Sequence, residues 1–287
     1  MLVRIKDCSK RLEETGTIDA KYIAHEMLKV IRAVDKKSVY LVVCDGGADW
    51  TACKTMIAQA YPWIHFVHCV AHVGSLIIKG VCQIEVIRDL LIWISDAQHW
   101  FSTNKLKPLL QRFCKEHYGT TRSFIFPAET RFAGKLLQIK RFLSMKSALQ
   151  QCVRSSQYMR FEFLDDPFVE RITDGEVWQL MRRVVKAAGP IMLLIRLADS
   201  NKPTLSKLKG TVEYISSQML DSGSKSLEDQ IYSVFAKRVP DLESDIATAV
   251  YILDPQFLEK SASSGSSTML AFWTVARRVL RVTDDAK

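Results

Sequence analysis

Three clusters in this chain have residue types and spacings that chemistry can use. The first is Asp45, which follows the apolar run SVYLVVC at 38–44 and precedes Gly46 and Gly47. A carboxylate at the carboxyl end of a buried strand lies where open α/β sheets bind ligands. Its oxygens suit magnesium or manganese. The same Asp-Gly-Gly also suits a turn followed by an N-cap for a helix starting at Ala48. Asp49, four residues on, fits the first turn of that helix, where the dipole favours an acid.

The second cluster is HFVHCVAH at 65–72. Cys69 and His72 are three apart and share a face at a helix start. They offer two zinc ligands where a structural site takes four, and no second Cys or His pair follows at zinc-finger spacing. A buried polar pair, or a contact to nucleic acid or an active site, are the other readings. His65 and His68 point to opposite faces of a strand. The third cluster is PAETRF at 127–132, where Thr130 can cap a following helix and Arg131 can reach a carboxylate or phosphate. The sequence has no Gly-rich phosphate loop, nucleophile elbow or His-Glu-x-x-His, which removes the usual kinase, dinucleotide and hydrolase readings.

The elements that must position these residues follow from periodicity. A strand is predicted at 2–6 (LVRIK) and a helix from Thr17 or Asp19 to about Val34. The continuous β-branched run at 38–44 predicts a strand buried on both faces. A helix over 48–60 and a strand over 63–68 follow. This alternation argues for parallel strands in an α/β layer. Beyond Cys69 the pattern turns helical: 70–101, 104–117, 130–153, 167–200 with a kink at Pro190, 204–220, 226–238 and 268–282. SASSGSS at 261–267 reads as a flexible loop.

Composition bounds the reading. At 287 residues, 48% apolar and 25% charged, the chain is too apolar for intrinsic disorder and long enough for a real core. No apolar run reaches the length of a membrane span, and no secretory leader is legible, so no membrane partner is expected. Seven cysteines, mostly within apolar segments, suit buried thiols in a reducing compartment. The net charge is +9, and residues 101–160 hold twelve Lys/Arg against Glu116 and Glu129. That block carries the whole excess, which fits contact with phosphates or acidic proteins, or a solvated helical surface.

Five segments taken in order resemble the middle of hAT-superfamily transposases, most of all the hAT-like proteins carrying a plant-type domain of unknown function. They are LVVCDGGADWTACK at 41–54, YPWIHFVHCVAHVGSLII at 61–78, ETRFAGKLLQIKRFL at 129–143, IRLADSNKP at 195–203 and ATAVYILDPQF at 247–257. The resemblance implies a ribonuclease-H-like fold with a large helical insertion, and a nuclear, DNA-handling ancestry. In the family three carboxylates hold two magnesium or manganese ions, and the second of them matches Asp45. The family's Cys-x-x-His matches Cys69 and His72, and its Arg-Trp stands here as Arg131-Phe132. The strand bearing the first Asp is missing, with Asp7 outside any matching motif. The chain also stops at Lys287, before the helix bearing the final Glu. The chain thus resembles a transposase truncated at both ends.

The expected fold class is therefore α/β with a large all-helical insertion. A partial ribonuclease-H-like layer spans 1–78, a helical insertion region 79–245, and a helical segment returning toward the core 246–287. A lone Asp45 cannot clamp two metals. The expectation is a domesticated, catalytically inactive fragment without a bound cofactor. Residual non-specific DNA binding is expected through Arg131, Lys135, Lys140 and Arg141. A three-stranded sheet with an unpaired edge predicts a homo-oligomer or a marginally stable layer. The alternative is a helical interaction module that dimerises around Leu90, Trp93 and Trp100 without touching nucleic acid.

Overall fold

The computed structural model describes residues 9–127, 132–161, 168–220, 226–259 and 265–280. Its elements in chain order are α1 (Ser9–Thr15), α2 (Ala20–Val34), β1 (Leu41–Cys44), α3 (Ala48–Ala60), β2 (His65–His68), α4 (Val70–Val81), α5 (Glu85–Phe101) and α6 (Leu106–Tyr118). Then come α7 (Phe132–Leu143), α8 (Lys146–Arg154), α9 (Ser156–Met159), α10 (Val169–Thr173), α11 (Gly175–Ala188) and α12 (Met192–Ala198). The last are α13 (Leu205–Leu220), α14 (Ser226–Ala236), α15 (Val239–Leu242), α16 (Asp245–Leu253) and α17 (Ser266–Leu280). The chain is predominantly helical, with one two-stranded sheet among the described residues. The strand expected at 2–6 lies outside them.

The chain divides into two compact units. One comprises 1–73, 194–213 and 238–287; the other comprises 74–193 and 214–237. The sequence boundaries at 78 and 245 miss the stretch 194–213, which clusters with the first unit rather than within an uninterrupted insertion. Its anchor is the start of α13: Leu205 packs beside Ile246 and Ala249, and the Ser206 hydroxyl donates to Asp254 at 2.6 Å.

In the first unit β1 and β2 pair in parallel, Leu41 opposite His65 and Cys44 opposite His68. Parallel strands need a crossover, and α3 supplies it. The pleat sends Val42 and Phe66 into a cluster with α2 and α3 (Ala24, Ile31, Trp50, Cys53, Ile57). It sends Leu41 and Val67 the other way, against Ile246, Ala249 and Val275 of α16 and α17. The second face is covered only in part, because Val43 on the Leu41 side stays 54% exposed, so β1 is not the strand buried on both faces that the unbroken apolar run suggests. α17 is pinned by Arg278, whose guanidinium donates to the Pro62 carbonyl at 2.9 and 3.2 Å and to that of Ile64 at 3.4 Å.

Both strands are shorter than expected. Asp35, at φ +89°, closes a turn in which its carboxylate accepts from the Lys37 amide and the Ser38 hydroxyl, so β1 starts only at Leu41, with the Tyr40 carbonyl already accepting from the His65 amide at 2.8 Å. A second turn, Ile64 N–H to the Tyr61 carbonyl, delays β2 to His65.

The second unit is built on aromatic stacking. Phe142, fully buried, stacks on Trp178 at 5.7 Å and on Phe124 at 5.8 Å and meets Trp93 edge-on at 5.5 Å. Arg183 grips the buried Glu228 with two hydrogen bonds of 2.8 and 2.6 Å. Several long helices of the sequence reading are broken. The stretch 70–101 bends by 90° between α4 and α5. There the amides of Gln83 and Ile84 bond to carbonyls three residues back. The stretch 130–153 breaks at Ser144, whose hydroxyl donates to the Arg141 carbonyl while its own carbonyl accepts from Arg122 at 2.6 Å. In 167–200, Asp174 ends α10 and caps α11, accepting from the Glu176 amide, and a 3-10 turn runs from Gly189 through Pro190. Among the described residues no single helix is long and apolar enough to cross a membrane.

The close approach of α4 and α14 depends on Gly80. A Cβ there would lie 2.7 Å from Cγ1 of Val234, a stiff β-branched side chain. Gly80→Ala is expected to destabilise by about 1–3 kcal/mol through overpacking, outweighing the helix-propensity gain of up to about 1 kcal/mol. Urea denaturation checks this, and Val234→Ala in the same background should restore most of the loss.

Candidate nucleic-acid interface

The residues singled out from the sequence do not form one centre. Asp45 is exposed in the loop after β1. The residue capping α3 is Gly47, with no side-chain bond, so Asp45 does not play the N-cap role that Asp-Gly-Gly suggests. No described residue hydrogen-bonds its carboxylate. No group of three His, Cys, Asp or Glu side chains suited to a metal converges among the described residues. The donor set at Asp45 therefore does not fit the two-metal clamp of the transposase resemblance, which needs several carboxylates around both ions.

Cys69 and His72 flank the first turn of α4, both partly exposed. They are not a buried polar pair, and no side-chain hydrogen bond joins them. Cys69 serves the sheet through its backbone, its amide donating to the Cys44 carbonyl at 2.7 Å. Cys44, Cys53 and Cys69 neighbour one another, and burial first, then the Asp45 charge, push the Cys44 thiol up to about 12. The six described cysteines are free thiols. Thr130 and Arg131 lie outside the described residues.

The basic residues separate by their place on the helices. On α7, Lys140 is exposed and Arg141 half-buried a helical step away. Lys135 sits elsewhere, in a cavity between α5 and α7 with Cys82, His99 and Phe126. The three do not make one patch. A tighter grouping joins Lys105 and Arg112 of the α6 region to Gln157 and Arg160 beside α9. These line a groove of about 460 Å³ with Pro108, Leu109 and Phe161, and among the described residues no acid lines it. Arg112 stacks over Phe113 at 4.7 Å and pairs through Nε with Glu116 at 3.3 Å. That pair is solvent-exposed, so it holds the guanidinium only weakly. The spacing of Lys105 and Arg112, seven residues and two helical turns, was a readable signal. Arg160 had none, since only the fold of α8 and α9 brings it there.

His65 is the one histidine of its cluster that the fold buries, at 4% exposure, and its Nε2 has no hydrogen-bond partner among the described residues. Burial first, and then the nearby Arg278 charge, hold its pKa below 6.5, with Asp245 opposing. No protein-family model matches the chain, and no curated protein matches it either.

A buried histidine with a depressed pKa is neutral in the fold and protonates more readily once unfolded. Its contribution is complete above about pH 6.5 and is lost as pH falls from there toward its folded pKa. The melting temperature should therefore drop between about pH 7.5 and 5.5. His65→Gln, which does not titrate, should flatten that drop. An equal drop in both proteins would exclude His65 as its source.

Proposed function

We propose that this chain is a DNA-binding protein of hAT-transposase type that holds duplex DNA through its phosphates and does not cut it. The observation that carries the reading is the groove of Lys105, Arg112 and Arg160, which no acid lines among the described residues, within a segment that holds the whole positive excess of the chain. Guanidinium and ammonium groups over an apolar floor suit phosphate oxygens. Lys140, exposed on α7, adds to the positive charge of the same segment. The five ordered motifs support the ancestry and a nuclear location. The single carboxylate of Asp45 supports binding without strand cleavage.

Self-association without nucleic acid is the second reading, but not through the helix first considered. Leu90 and Trp93 are buried, and Trp100 donates its indole N–H to the Tyr158 hydroxyl at 3.1 Å. The observation that favours self-association is the outer stripe of α17, where Met269, Leu270 (69% exposed), Trp273 (55% exposed) and Leu280 stand in solvent.

Duplex affinity should fall steeply between roughly 50 and 200 mM salt, with a log–log slope that reports the number of phosphates contacted. Reversing both Arg112 and Arg160 to Glu should lower the slope by about two and weaken all sequences alike. Fluorescence anisotropy with duplexes of unrelated sequence reads both. Salt-independent affinity would sink the reading. Light scattering at micromolar concentration tests the second: a dimer that Trp273→Glu converts to monomer supports it, and a strict monomer removes it.

A further inference from the structure

The cavity between α5 and α7 has a volume of about 700 Å³, in the range of small-molecule sites, and an uncommon lining. Its floor is a polar network inside a helical core. Gln138 and Gln98 are both buried, and the Gln138 amide nitrogen donates to Ser95 Oγ at 3.0 Å and to Gln98 Oε1 at 2.8 Å. Gln98 Nε2 is buried without an acceptor among the described residues. Burying two amides with an unsatisfied donor is destabilising, and a hydrophobic pair would serve packing better.

The network fixes what Gln138 shows to the cavity. Both of its N–H groups are engaged, so the atom left to face a ligand is the acceptor Oε1. Asp96, on α5, adds a second acceptor to the lining. His99 is held by Nδ1 against the Ser95 carbonyl at 2.7 Å, which places its proton on Nδ1 and leaves Nε2 as an acceptor when neutral. Phe126, 52% exposed at the mouth, meets the His99 ring at 5.2 Å, and Leu91 and Ile92 offer an apolar surface. The cations are Arg88 and Lys135, and the Lys135 charge lies close enough to the buried Cys82 thiol to oppose the rise that burial causes.

An aromatic face, clustered acceptors and two cations in one cavity suit a flat heterocycle that bears amino hydrogens and a phosphate. The geometry points to a seat for a single nucleotide with an amino-bearing base, adenine or cytosine before thymine. The base lies against Phe126, its amino group reaches Gln138 Oε1 and Asp96, and its phosphate meets Lys135 and Arg88. Thymine places carbonyl oxygens on both sides of its one ring N–H, where they meet these acceptors unfavourably. The seat accepts the same chemistry from a free nucleoside monophosphate or from an unpaired position in a strand. It deepens the DNA-binding reading while resting on different side chains from the phosphate groove.

The test is calorimetric titration of the full chain with AMP, CMP, TMP, ribose 5-phosphate and inorganic phosphate. Saturable binding of AMP and CMP is expected, with TMP and ribose 5-phosphate about fivefold weaker or more. Phe126→Ala and Lys135→Gln, both outside the sealed core, should each weaken AMP by about fivefold or more, with melting curves confirming the fold. No saturable AMP binding, equal affinity for AMP and ribose 5-phosphate, or an unchanged Phe126→Ala variant would overturn the seat. A duplex with one unpaired adenosine that binds tighter than its fully paired counterpart assigns the seat to nucleic-acid strands. Equal duplex affinities beside free AMP binding assign it to the mononucleotide. The Arg112→Glu, Arg160→Glu double variant separates the two readings, since it should lose duplex DNA and retain AMP.

Discussion

The first unit depends on one constraint: a parallel pair of strands must find packing on both faces. Two parallel strands of four residues each hold little stability by themselves. The crossover α3 and its neighbour α2 cover one face with Trp50, Cys53 and Ile57. The second face is met by chain from elsewhere, and α16 and α17 cover Leu41 and Val67 through Ile246, Ala249 and Val275 while Val43 stays exposed. Arg278 locks this return by binding two carbonyls in the loop ahead of β2. The same cover buries His65 and takes it out of any surface chemistry.

The second unit solves a different problem. Its helices carry many cations, which must remain hydrated, and its core is filled by broad aromatic faces around Phe142. Helices short enough to pack around that centre leave concave seams between them. One seam is lined by cations over apolar floor, and the other by buried amides and an aromatic mouth. Long amphipathic stretches are divided into shorter helices at Gln83–Ile84, Ser144, Ser155 and Asp174. Charge on the chain thus becomes a local field through where the breaks fall.

Much of the architecture was legible wherever the signal is local. Asp19 begins α2 by accepting from the Tyr22 amide, as its residue type suggests, and the apolar run at 38–44 foretold a strand, though with Val43 exposed it is not buried on both faces. The breaks were less legible. Apolar periodicity continues across Cys82, and the tight seat of Gly80 exists only because Val234 approaches from α14. Asp45 looked like a cap, but capping depends on where the first helical turn closes, and that is one peptide after Gly46. Lys135, Lys140 and Arg141 looked like one patch because they are near in sequence, yet helical rotation turns them apart.

The sequence by itself determined the charge excess, the parallel pair and the helical character, because each follows from residue type at spacings of a few positions. Only the tertiary structure decided which charges share a surface, that Arg160 joins Lys105 and Arg112, and that Gln98 meets Gln138 inside the core. Those neighbours lie tens of residues apart, and their meeting depends on the angles at which helices pack. Packing angles come from side-chain volumes summed over whole interfaces, which short-range patterns in a chain do not encode.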